Sequence, residues 1–226
     1  MHMASAKKEH EICYSGFSKY PVNLGDHYSR ALTEGYTEYL AYSNYHIYNH
    51  FYYIDMKIAN MFMCILGNDL LAYSYYNILG TTLLENELKK ICPNEDIDKL
   101  FETINLRYSE KYNEENVYFI PIIQNILVNI FIEKINNDIL NGITYEELMP
   151  CVNFFKKSLI TNNGLKNNYY YDDVMSFNVT GVQAKVSNNG LKNNYTRYRN
   201  FPNLSKSLGQ FVDFYENICN KINIQR

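Results

Sequence analysis

A chain of 226 residues is long enough for one substantial hydrophobic core, or one core with a small appendage. At 46% hydrophobic and 20% charged, with a net charge of −3, it carries no broad basic field, which excludes nucleic acid as a partner bound by phosphate neutralisation. It has no run of 18 or more apolar residues and no basic-then-apolar leader, so it reads as a soluble, cytoplasmic chain with no membrane partner.

Twenty-three tyrosines and no tryptophan, beside many Asn, Ile and Lys, reflect AT-rich codons more simply than they mark an aromatic binding surface. Cys13, Cys64, Cys92, Cys151 and Cys219 are scattered without a C-x-x-C. That pattern reads as reduced thiols rather than a disulfide frame or a Cys-zinc site, with Cys64 in the core.

Residues 1–25 read as a polar, loop-rich lead broken at Ser15-Gly16 and Pro21. Asp26 is the predicted N-cap of a helix reaching about Asn49 or Tyr53, with Leu32, Tyr36, Tyr39 and Leu40 on its packing side. Inside it, RALTEGYTEYL (Arg30 to Leu40) sets Glu34 and Glu38 one turn apart on one face, a spacing that can hold a metal or a proton. His46 and His50 repeat that spacing, but His46 lies about 12 Å along the axis from Glu38, too far to share an ion, and the two read as imidazoles on a half-exposed helix end.

Further helices are predicted at Tyr53 to Leu66, closed by Gly67; at Asn68, as N-cap, to Leu79; at Leu83 to Cys92; and at Glu95 to Arg107 after a break at Pro93-Asn94. Ile58, Phe62 and Ile65, then Leu70, Tyr73, Tyr76 and Ile78, form the expected core stripes. The most apolar stretch, within Asn113 to Asn141, predicts a helix buried on most sides and beginning near Pro121. Thr144-x-x-Glu147 is a capping box opening a helix to about Leu159, with a bend at Pro150.

Beyond Ile160 the composition changes. NNGLKNNY occurs at 162–169 and again at 188–195, too few copies for a solenoid. The stretch between reads either as a small β-hairpin near residues 174–186 or as part of a duplicated low-complexity insert. Tyr195, Arg197, Tyr198 and Arg199 read as a solvated loop. A last helix, Asn203 to Ile224, presents Leu204, Leu208, Phe211, Tyr215, Ile218 and Ile222 to the core or to a partner. The fold class is therefore mainly α, a helical bundle, divided into a helical domain (1–160), an Asn/Tyr-rich insert (161–202) and a C-terminal helix (203–226).

RALTEGYTEYL also resembles the glutamate-bearing helix of the gluzincin metallopeptidases, zinc enzymes in which an H-E-x-x-H helix supplies two His ligands and a downstream helix supplies a Glu. IANMFMCILGNDLLAYSYYNILG, Ile58 to Gly80, is similar to the segment after that helix in gluzincin-like proteins of low-GC bacteria, and EICYSGF, Glu11 to Phe17, to their connector between the metal helices. The resemblance implies the C-terminal part of a zincin, with zinc (Zn) as cofactor, Glu34 as third ligand and Glu38 as the carboxylate orienting a ligand histidine. Gly35 would let another backbone come close.

The sequence contains no H-E-x-x-H. His10-Glu11 begins one that ends in Tyr14. HMAS, His2 to Ser5, is either the tail of such a helix, making His2 a ligand, or a vector-derived scar. Three functions fit these residues: a truncated or degenerate metallopeptidase domain with hydrolysis in doubt, a non-catalytic helical domain binding a peptide or protein, or a bundle in which Glu34 and Glu38 are only an exposed acidic face.

Overall fold

Apolar residues at helical spacing generate most of the architecture. A computed structural model of the protein describes residues 6–9, 12–21, 29–45, 52–77, 80–106, 119–161 and 204–224. Among the described residues a three-stranded antiparallel sheet precedes eight helices, and the core lies among the helices. The protein is mainly α.

The strands β1 (Ala6–Glu9), β2 (Ile12–Ser15) and β3 (Ser18–Pro21) form a meander with Ala6 opposite Ser15 and Ser15 opposite Ser18. Over residues 6–9 and 12–21 this corrects the loop-rich reading. Gly16 breaks the pattern because it turns the β2–β3 hairpin at φ +57°, and Pro21 closes an edge strand, where a missing N–H costs nothing.

Helix α1 (Arg30–Tyr45) starts after Ser29, whose backbone N–H and hydroxyl both donate to Asn105 Oδ1, at 2.6 and 3.2 Å. The predicted cap Asp26 lies outside the described residues, as do His46 and His50. Helix α2 (Tyr53–Leu66) has the predicted bounds and is buried along most of its length, from Ile54 to Ile65. Gly67 closes it at φ +84°, its N–H bonded to Met63 O at 2.8 Å.

In α3 (Asn68–Tyr76) the expected stripe is displaced. Tyr73 and Tyr76 are 58% and 45% exposed, and Leu71, Ser74 and Tyr75 face inward instead. The reason is Tyr75, which packs edge-on against Phe17 and tilts against Tyr36 in a pocket that turns α3 by about a residue. Gly67, not Asn68, occupies the N-cap position, and Asn68 Oδ1 accepts from the Tyr36 hydroxyl at 2.9 Å.

Helices α4 (Thr82–Ile91) and α5 (Ile97–Leu106) are separated at Pro93-Asn94, and Asp96 caps α5 by accepting from Lys99 N–H at 2.9 Å. Helix α6 (Phe119–Leu140), with Pro121 in its first turn, is long and apolar enough to cross a membrane, but here half of its apolar window is buried against other helices. The predicted capping box opens α7 (Tyr145–Ser158): Glu147 N–H donates to Thr144 Oγ1 at 3.4 Å, and Thr144 N–H to Glu147 Oε2 at 2.9 Å.

Helix α8 (Ser205–Ile224) closes the core through Leu204, Phe211, Ile218 and Ile222, with Phe131 and Phe155 stacked at 3.8 Å beneath Phe211. Its attachment depends on Gln124 of α6, fully buried. The Gln124 amide accepts from Ile160 N–H at 2.6 Å and donates to Ile160 O and Ser207 Oγ at 3.3 and 3.0 Å. Gln124 therefore ties together Ile160 and Ser207, on either side of residues 162–203. The repeats and the predicted hairpin at 174–186 lie outside the described residues.

Candidate functional site

Contacts on both flanks of α1 fix where its carboxylates stand. Thr33 is buried under the β2–β3 turn: its hydroxyl accepts from Phe17 N–H at 3.1 Å, meets Ser18 Oγ at 2.8 Å and donates to Ser15 O at 3.4 Å. On the other flank Gly35 meets the backbone of α2. A Cβ there would stand 2.0 Å from Asp55 O, so only glycine permits this crossing. At about 100° per residue, Thr33 and Gly35 lie on either side of Glu34, and Glu34 and Glu38 share the face between hairpin and α2.

That face is only partly open to water. The Glu34 side chain is 14% exposed, and its Oε1 lies 3.4 Å from Arg30 Nε one turn earlier. Glu38 is 6% exposed, rare for a carboxylate. Tyr52, just before α2, lies beside both Arg30 and Glu34; burial and the neighbouring Glu34 charge push its phenol up, against the opposing effect of Arg30. One turn on, Thr37 donates to Thr33 O and meets the Tyr75 hydroxyl at 2.7 Å, tying α1 to α3.

The sequence places Glu34 and Glu38 together, and they share a helix face as expected. His2 lies outside the described residues, as do the other four histidines. Among the described residues no three His, Cys, Asp or Glu side chains form a group able to hold a metal. The α1 carboxylates are two oxygen donors on one supported helix face.

Two features escape sequence reasoning. A cleft of about 380 Å³ opens between α5, α6 and α8, rimmed by Glu95, Asp96, Lys99 and Lys206, with Asn125 in its wall. Its mixed charge is invisible until three distant segments meet. The second is the meeting of Cys64 and Cys151, which sequence spacing alone reads as unrelated thiols. Compared with protein-family models, curated proteins and solved structures, the chain matches none.

Proposed function

We propose that α1 is the carboxylate-bearing helix of a gluzincin-like zinc site, with Glu34 a metal ligand and Glu38 the carboxylate that steadies a ligand imidazole. The observation that carries the reading is the double clamp on Glu34. Its neighbours Thr33 and Gly35 are fixed to the hairpin turn and to the α2 backbone, so the carboxylate projects from a helix that cannot roll. A ligand needs that kind of support.

Zinc bound there would lower the pKa of a coordinated water and polarise a carbonyl. The chain's own residues do the holding: Arg30 pairs with Glu34 and orients it, and Tyr52 lies beside both. With no H-E-x-x-H in the sequence, the reading assigns metal binding and no hydrolytic step.

Metal content of the purified chain tests it, measured by mass spectrometry beside Glu34→Ala and Glu38→Gln, with circular dichroism on each. Stoichiometric zinc, lost in Glu34→Ala and held about 10–100-fold more weakly in Glu38→Gln, is the expected result. Folded wild-type protein without zinc after incubation with it, or equal zinc in Glu34→Ala, would overturn the assignment.

A further inference from the structure

Helices α2 and α7 bring two thiols separated by 87 positions against each other's backbone. Cys151 Sγ lies 3.5 Å from Cys64 O, and Cys64 Sγ 3.9 Å from Cys151 O. We propose that Cys64 and Cys151 are a redox-active dithiol that closes to an intramolecular disulfide when a hydroperoxide reaches Cys151. The reciprocal contacts carry the proposal, because they set each sulfur at the other residue's main chain, and a disulfide needs its two main chains close together.

The two sulfurs are unequal. Cys64 is 6% exposed, whereas Cys151 is only partly buried, so an oxidant meets Cys151 first. The interaction between the two thiols lowers the pKa of Cys151 and raises that of Cys64, and the Lys134 ammonium of α6 further favours the Cys151 thiolate. That polarity separates an attacking sulfur from a resolving one. Cys92, by contrast, has its thiol pushed up by burial and by the neighbouring Glu95 and Glu133 charges.

The chemistry balances with a hydroperoxide as the oxidant. The Cys151 thiolate attacks the distal peroxide oxygen, the O–O bond breaks, and a sulfenic acid forms at Cys151 as the leaving oxygen takes a proton. Cys64 then loses its proton and attacks the Cys151 sulfur, forming the S–S bond and expelling the sulfenic oxygen as water. Two thiols are oxidised and one peroxide is reduced to two waters, or to water and an alcohol.

The test is peptide mapping after hydrogen peroxide, with N-ethylmaleimide added under denaturing conditions. The expected result is a Cys64–Cys151 linked peptide, with the maleimide label lost at those two residues, restored by dithiothreitol, and retained throughout at Cys92 and Cys219. In Cys64→Ser, Cys151 should instead accumulate as a dimedone-trapped sulfenic acid. Loss of label at Cys92 or Cys219 before Cys151, a disulfide from Cys151 to any other cysteine, or oxidation of Cys151 with Cys64 still labelled would overturn the proposal. The wild-type map needs no variant to fold.

Discussion

Gly35→Ala is the sharpest perturbation of the α1–α2 crossing. The added methyl would lie 2.0 Å from Asp55 O, 2.2 Å from Asp55 C and 2.8 Å from Met56 N, against an ordinary contact of 3.4–4 Å. These are backbone atoms that no rotamer change can move aside, so the helices must part by more than an ångström. Overpacking of this kind costs typically about 1–3 kcal/mol, and a rigid obstacle belongs at the upper end. Replacing a helical glycine by alanine returns about 1 kcal/mol of propensity. The net expectation is a loss of roughly 2 kcal/mol, which urea denaturation reads as a midpoint lower by about 0.7–1 M for a slope of about 2–3 kcal/mol/M. Gly209→Ala is the internal control: it sits exposed in α8 with nothing within 4 Å of a Cβ, and should gain about 0.5–1 kcal/mol. If both variants shift the midpoint upward alike, the crossing is loose and the clamp on Glu34 does not exist.

Gln124→Leu keeps the volume but removes the partner of Ile160 N–H and O beneath α8 and leaves Ser207 Oγ only its bond to Leu204 O, and should cost about 2–4 kcal/mol by the same denaturation assay; a loss below about 1 kcal/mol would mean these groups find other partners. Thr144→Ala removes the α7 cap and should cost about 1 kcal/mol. The same motif predicts a pH dependence, because hydrogen bonds from the Thr144 backbone and hydroxyl hold the Glu147 pKa below the usual carboxylate range. Its contribution is complete above the unfolded carboxylate pKa and is lost as pH falls through the lower folded value, so wild type and Thr144→Ala should converge in stability on acidification. Parallel pH–stability curves would refute that origin.

How much of this fold the sequence reveals divides by range. Gly67, the Thr144-x-x-Glu147 box and the Leu204 to Ile222 stripe are local signals whose chemistry is complete within one helix, and each appears in the structure at its predicted place. The α3 face is not legible because several aromatic positions compete for it, and the choice of Tyr75 depends on Phe17 and Gly16 more than fifty residues away. The N-terminal sheet is hidden for a related reason. Among the described residues its four-residue strands pair with one another, and the Gly16 turn between β2 and β3 docks on Thr33. Glu34 and Glu38 are legible as a pair from spacing alone, whereas the clamp around them, Thr33 on one side and the Asp55 carbonyl on the other, is tertiary.

Helix α2 ties the two proposals together and also separates them. Its first turn, at Asp55, is the backbone that Gly35 crosses, and its last turns carry Cys64. Nine residues of helix put these points about 14 Å apart, too far for the thiols to enter a zinc shell at Glu34 and too far for a metal there to set their reactivity by direct contact. The two tests are therefore independent: zinc content should be unchanged in Cys64→Ser, and disulfide closure unchanged in Glu34→Ala. Coupling between them would have to pass through rigid movement of α2, which is buried along nearly its whole length and packed against α1, α6 and α7. A displacement at one end that reached the other would then appear as a loss of zinc on oxidation in wild type, abolished in Cys151→Ser. Retention of zinc through full disulfide closure would show that the dense packing around α2 absorbs the change locally.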